Sequence, residues 1–349
     1  MRFLIVGLGS LGKRRIRNLK YLQSGTIIGC DTRLDRRDET SQRYRIQTFE
    51  NFNEAMKQDP EIVVISSAPN LRLHYALEVA AANKHFFTEA CPGDEQMDEL
   101  ITLLREKKIV AAPSCTLCFY PGPKKVQKFM REGAIGQPLT FTYHSGQYLP
   151  GWHPAEDSWP YSDSTRSTDA YREIVPFELV WLSSLFGNIE SISTFKGKIG
   201  NLEVDRDNAP YKSLVRFESG TIGHLLLDMT SKTPVQRMHL TGKEGSIEWD
   251  NSEQLIRIYS ADKQLKKTEQ LIRGCVENMY TKPEEPYVDE LRCFLEAIYG
   301  IAPFPHTFEK HRKILTLFDQ AGENGQKERK RTNAQVQGAA EAEEATLME

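Results

Sequence analysis

The sequence predicts an α/β protein in two parts: an N-terminal doubly wound parallel sheet, then an α+β domain with a large, mostly antiparallel sheet. Three observations predict it. The first third alternates short, continuously apolar runs with stretches of helical periodicity, as expected of strands buried on both faces by crossover helices. A glycine-rich turn, Gly7-Leu8-Gly9-Ser10-Leu11-Gly12, separates the first such run from the first helical stretch. From Pro138 onward the strands alternate apolar and polar residues, with a hairpin signal at Glu218-Ser-Gly-Thr221.

Composition sets the bounds. A chain of 349 residues has room for about two domains. With 39% hydrophobic and 27% charged residues it can bury a sizeable core. The net charge of −3, from 45 basic and 48 acidic residues, excludes a global basic field for nucleic-acid phosphates. The opening MRFLIVGLGS mimics a signal peptide, but the apolar run stops at Gly7 and Lys13-Arg14-Arg15 follows. No stretch approaches the roughly 20 apolar residues that span a bilayer. The expectation is a cytoplasmic protein with neither membrane nor nucleic acid as partner. Its six cysteines are scattered, and Cys115-Thr-Leu-Cys118 has no second pair, so free thiols and no metal are expected.

In order, Arg2 to Val6 is a buried strand, and Leu11, Ile16 and Leu19 mark the helix after the glycine turn. Thr26 to Cys30 is the next strand and ends at Asp31, 19 residues past Gly12. Together these are the dinucleotide fingerprint of a Rossmann domain. Gly7 permits the tight turn, Gly9 lets backbone approach a pyrophosphate, and Gly12 allows close helix–strand packing. The helix N-terminus offers unpaired N–H groups and a positive dipole end. The loop, with Leu8, Ser10 and Leu11, therefore predicts a bound NAD. Asp31 suits the ribose hydroxyls and repels a 2′-phosphate. Arg33, Arg36 and Arg37 stand ready to cradle that phosphate, or to form a solvated arginine-rich loop, so NADP stays open. Glu61 to Ser66, His85 to Thr88 and Ile109 to Ala112 read as further strands, with helices near Leu71 to Asn83 and Gln96 to Lys107.

Several segments carry a more specific likeness. Ser67-Ala68-Pro69-Asn70 followed by His74 resembles the TPNxxH segment of the Gfo/Idh/MocA oxidoreductases. Lys84-His-Phe-Phe-Thr-Glu89 is similar to that family's GKHVxxE strand. Phe119-Tyr-Pro121, Gly133-Ala-Ile-Gly136 and Tyr287 to Ile298 follow in the family's order, so the likeness spans about residues 1–322. It implies that Ser67, Ala68, Pro69, Asn70, His74, Glu89 and Ala90 edge the cofactor. It further implies a sugar-type substrate held by the second domain and a homodimer, or higher homo-oligomer, formed through the open sheet face.

The expected domains are residues 1–120 for the dinucleotide, 121–322 for substrate and dimerisation, and a disordered tail, 323–349, lacking aromatics and apolar periodicity. In the second domain, strands are predicted near Thr140 to His144, Ile189 to Phe195, Tyr211 to Phe217, Ile222 to Leu227, Met238 to Leu240, Ser246 to Trp249 and Leu255 to Tyr259, with a helix at Tyr287 to Tyr299.

The resemblance also implies a catalytic lysine in a Glu-Lys-Pro motif, but here the chain reads Glu89-Ala90-Cys91-Pro92, which puts Ala90 at the lysine position when aligned on Glu89 and Cys91 there when aligned on Pro92. Counting back from Leu185-Phe-Gly187 puts Glu173 where the family has an aspartate and Phe177 where it has a histidine. Cys118 replaces the arginine often found before the Phe-Tyr-Pro segment. Neither an ammonium nor an imidazole survives. Candidate substitutes are His144, Tyr148 and His153, in a stretch dense in polar and aromatic side chains that suits a sugar. Arg172 is the candidate anion ligand and Glu173 the candidate base. Two functions follow. One is an NAD(P)-dependent oxidoreductase moving hydride between nicotinamide and a sugar or nucleotide-sugar-like polyol. The other is a cofactor-binding protein without dehydrogenase turnover, or one using bound NAD for elimination or isomerisation. His224 and His239 are expected to be structural, and His306 and His311 surface or packing residues.

Overall fold

The structure is a computed structural model. It describes residues 1–91, 93, 96–147, 170–196, 211–229, 231–262, 264–278, 280 and 282–321, with the backbone alone at Ala170, Tyr171, Glu173, Phe195, Lys196 and Tyr211.

The first part runs β1 (Arg2–Val6), α1 (Ser10–Tyr21), β2 (Thr26–Cys30), α2 (Leu34–Tyr44), β3 (Gln47–Phe49), α3 (Phe52–Met56), β4 (Ile62–Ile65), α4 (Arg72–Ala81), β5 (His85–Thr88), α5 (Met97–Arg105) and β6 (Ala111–Pro113). The strands form one sheet in the order β3-β2-β1-β4-β5-β6, every pairing parallel. Phe3, Leu4, Ile5 and Ile62 to Ile65 are wholly buried, because helices cover both faces. The strand order reverses between β1 and β4, so a crevice opens beyond their carboxyl ends.

The second part runs α6 (Pro121–Arg131), β7 (Pro138–Gly146), α7 (Ala170–Phe186), β8 (Ile189–Lys196), β9 (Tyr211–Phe217), β10 (Ile222–Asp228), β11 (Val235–Gly242), β12 (Gly245–Asp250), β13 (Leu255–Ser260) and β14 (Leu265–Gln270). Its sheet has the order β14-β13-β12-β11-β7-β10-β9-β8, antiparallel except where β7 meets β10. One face is the core. Phe141 stacks on Phe186 at 4.9 Å, and Tyr143, Trp181 and Trp249 pack against one another. A Cβ on Gly122 would run into the Trp249 ring, so α6 lies directly on β12 there. The other face exposes Lys212, Leu214, Arg216, Ile222, His224, Arg237 and His239.

The last two helices, α8 (Glu285–Ile298) and α9 (residues 308–321), return to the first sheet. Phe294 packs on Phe87, Phe308 on Phe86, and His311 reaches the Cys91 carbonyl at 2.8 Å. His306 and His311 are thus core residues, not surface ones. Other elements depart from the sequence reading. The arginine-rich stretch after Asp31 is helix α2, with Arg33 at its N-cap. α6 begins in Pro-Gly-Pro and was not read from the sequence, though proline is tolerated in a first helical turn. The expected tail at 323–349 lies outside the described residues.

Candidate active site

At the switch point the chain must turn sharply out of β1. Gly7 does so at φ +91°, and a Cβ there would lie 2.6 Å from the Ser66 carbonyl oxygen. A Cβ on Gly12 would overlap the Gly7 carbonyl oxygen, so α1 starts pressed against the loop. Gly9 is the N-cap of α1. No side chain caps the helix and its first turn holds no acid, so the protein leaves the positive helix end uncompensated. Gly9, Ser10 and Leu11 line a cleft of about 1000 Å³. That donor set fits a diphosphate.

Asp31, beyond β2, is fixed against this loop. Its Oδ2 accepts the Leu8 N–H at 2.7 Å and its Oδ1 the Arg33 N–H at 2.9 Å. Each oxygen retains acceptor capacity for a ribose hydroxyl. The Arg36 guanidinium stands 3.7 Å from Oδ2, while Arg33 pairs with exposed Asp35. Arg33 and Arg36 both line the cleft.

Past β4, Ser67 and Ala68 lead into a 3-10 turn, Pro69–Leu71, beside the glycine loop. Arg72 joins the two neighbouring strand ends, donating to the Ser67 carbonyl at 3.1 Å and to the Ala90 carbonyl. The turn containing Asn70 flanks the cleft without lining it. His74 lies outside the lining too, exposed and paired with Glu78 at 2.8 Å one helical turn on.

Glu89 and Ala90 do line the cleft. Burial pushes the Glu89 carboxyl up, but the Arg15 guanidinium outweighs it and holds the group below its ordinary value. Phe177 also lines the cleft, so the histidine position, and the lysine position as aligned on Glu89, reach the cavity with the apolar side chains of Phe177 and Ala90.

Of the candidate catalytic residues, Tyr148 and His153 lie outside the described residues. The Glu173 backbone is in the first turn of α7 and its side chain is likewise not described. Two other candidates are described. His144 alternates with Tyr143 and Ser145 along β7, and since these face α7 and the cleft, His144 faces the opposite side of the sheet, beside Ser231 and Gly146. Burial depresses its pKa, and its Nε2 has no partner among the described residues. Arg172 forms a bidentate ion pair with Asp319 of α9.

Two groups not singled out enter the cleft instead. Glu178 of α7 is buried, and its Oε2 accepts the Tyr143 hydroxyl and the Trp181 Nε1–H, both at 2.9 Å. Burial raises its carboxyl above the ordinary value despite those bonds, the Ser145 hydroxyl and the charge of Lys282. Lys282 sits just before α8. Burial lowers its ammonium below the ordinary lysine range, Arg14 and Arg273 push the same way, and Glu178 opposes them. Gln236 donates to the Tyr143 hydroxyl at 3.0 Å and lines the cleft beside both. Ile174, Phe177 and Glu178 reach the cleft at helical i, i+3, i+4 spacing, so an acid on an otherwise apolar buried stripe was a readable signal. Lys282, in an irregular segment, gave none.

Comparison with known proteins places these features. Residues 1–113 match the oxidoreductase family with an NAD-binding Rossmann fold, and residues 124–248 match the GFO/IDH/MocA C-terminal domain. A levoglucosan dehydrogenase from Pseudarthrobacter phenanthrenivorans is 23% identical over 291 residues, 72% of this chain and 70% of that protein. The fold is similar to a levoglucosan dehydrogenase solved with NADH and levoglucosan, at TM-score 0.78 and 17% identity over 94% of this chain and 98% of that one. It is also similar to UDP-N-acetylglucosamine 3-dehydrogenase GnnA from Acidithiobacillus ferrooxidans, at TM-score 0.73 and 17% identity over 92% and 96% of the two chains. The chain belongs to the Gfo/Idh/MocA oxidoreductases, a family with an NAD-binding Rossmann domain.

Proposed function

We propose that this protein moves a hydride between NAD and a carbinol carbon of a sugar or nucleotide-sugar-like polyol. One observation carries the reading: a single cleft joins the uncapped N-terminus of α1 to the polar and aromatic wall of the second domain. When bound, the nicotinamide supplies the carbon that gains or gives the hydride. The chain supplies the rest. The backbone amides of Gly9, Ser10 and Leu11 hold the diphosphate, and the Asp31 carboxylate takes the ribose hydroxyls. Gln147, Gln236, Asn251 and Asn278 line the cleft with amide groups that match hydroxyls. Tyr120 offers an aromatic side chain, and Ile174 and Phe177 exclude water beside the reacting carbon.

NAD is favoured over NADP because Asp31 repels a 2′-phosphate. The open sheet face carrying Leu214 and Ile222 is our candidate for the contact with a second copy. The unpaired thiols suit a reducing, cytoplasmic setting. The test is a purified sample offered a panel of sugars and nucleotide sugars with NAD or NADP, read at 340 nm. Turnover with at least one is expected. Saturable nucleotide binding with no turnover on any would favour a cofactor-binding protein without dehydrogenase activity, the reading that apolar Ala90 and Phe177 would support.

A further inference from the structure

We propose that Lys282 takes the hydroxyl proton of the substrate during oxidation and returns it during reduction, with Glu178 as the positioning residue beside it. This rests on the dehydrogenase reading above.

Lys282 enters the cleft from the irregular segment between β14 and α8, and that segment is clamped to α1. Arg14 Nη2 donates to the Lys282 carbonyl at 3.0 Å. Glu284 receives Arg14 at 3.0 Å, Arg17 at 2.8 Å and Asn18 at 2.8 Å. The Tyr280 hydroxyl donates to the Ser10 carbonyl at 2.8 Å. The helix that addresses the diphosphate thus also sets the position of Lys282. An amine held that way is preorganised toward whatever the nucleotide loop aligns.

The ammonium itself is uncommitted: among the described residues, nothing hydrogen-bonds or ion-pairs it. It shares the cleft with Ala90 and Phe177, whose side chains cannot move a proton. The charged groups facing it are Glu178 from α7, Arg14 from α1 and Arg273 from its own segment. A lysine meant only to hold an anion would be kept charged. Here burial and two arginines favour the neutral amine, while burial favours the neutral acid at Glu178. The two titrations are pushed toward each other, which suits proton transfer between an amine and a hydroxyl held beside it. In oxidation, the substrate C–H bond breaks and its electron pair leaves as hydride for C4 of the oxidised nicotinamide. The O–H bond breaks, the neutral Lys282 amine takes the proton to become ammonium, and the C=O bond forms.

The test begins on the nucleotide-free protein. Brief acetic anhydride labelling across a pH series, read by peptide mass spectrometry, gives the titration midpoint of each lysine. The Lys282 midpoint is expected below that of exposed Lys108, and lower again in Glu178→Gln, where the carboxylate is gone. A midpoint equal to that of Lys108 overturns the proposal. Turnover supplies the second readout. Lys282→Met and Lys282→Arg should both lose roughly 10²- to 10⁴-fold in kcat, with KM changed only a few-fold and NADH affinity intact. Arginine keeps the charge but cannot accept a proton, so wild-type kcat in Lys282→Arg would make the residue an anion anchor and also overturn the proposal. If wild-type protein binds no NADH, the dehydrogenase reading fails, and the labelling midpoint still decides the state of Lys282.

Discussion

Arg15 of α1 grips Glu89, at the end of β5, through two parallel bonds of 2.7 and 3.0 Å, with the guanidinium wholly out of water. The same guanidinium reaches Glu290 of α8 at 2.8 Å, and Glu290 also receives Ser114, Thr116 and the Cys115 N–H. One cation therefore ties the nucleotide-binding helix, the central sheet and the returning helix. Removing it strands two buried carboxylates. Arg15→Met should lower stability by about 3–5 kcal/mol, read as a fall in the urea midpoint with an unchanged slope.

The glycine loop yields a second prediction. Gly12→Ala puts a methyl group onto the Gly7 carbonyl, so either α1 backs away or the turn opens. NADH affinity should fall at least about tenfold. Gly93→Ala, where a Cβ meets nothing within 4 Å, should bind as wild type in the same fluorescence titration.

Cofactor choice turns on Asp31 and Arg36. Asp31→Ser removes the negative charge facing a 2′-phosphate and frees Arg36 to meet it. The ratio of NADPH to NADH affinity should rise at least about tenfold, roughly the worth of one charge-assisted contact. Adding Arg36→Ala should cancel the gain. Paired titrations with the two nucleotides check both steps.

A buried histidine pair sets a pH dependence. His311 Nε2 lies 2.8 Å from the Cys91 carbonyl and so donates to it, leaving Nδ1 to accept from His306 Nε2 at 3.2 Å. Burial lowers both pKa values below 6.5, His306 the more strongly. Below pH 6.5 the unfolded chain binds protons that the folded one refuses, so stability is full above 6.5 and falls as pH drops toward the folded values. The slope approaches about 1.4 kcal/mol per pH unit for each histidine. Urea midpoints at pH 7.5 and 5.5 should diverge in the wild type and diverge less in His306→Asn. Equal divergence in both would show that His306 does not titrate on unfolding.

Much of the fold was legible because its signals are local. β5 and β9 fall on the residues that apolar runs and alternation mark, and Gly7, Gly12 and Asp31 occupy the places the fingerprint gives them. Strands such as β3 and β14 were not legible. β3 has three residues, and β14 is an edge strand of mostly exposed polar side chains, with no pattern to read. Helix α2 hides behind three arginines with few apolar positions. The candidate site divides the same way. The glycine loop and Asp31 lie within one stretch of chain, whereas Glu178, Gln236 and Lys282 come to the cleft from three distant segments that the tertiary fold brings together. His144 misled because one residue of strand register reverses the face a side chain takes.

Calorimetric titration of the purified protein with NADH tests the nucleotide-binding cleft most directly. Saturable binding of one nucleotide per chain, weakened in Gly12→Ala, is the expected result. No heat with NADH, NAD or NADPH at millimolar concentration would contradict the assignment of the glycine loop, and with it the redox function built on the cleft.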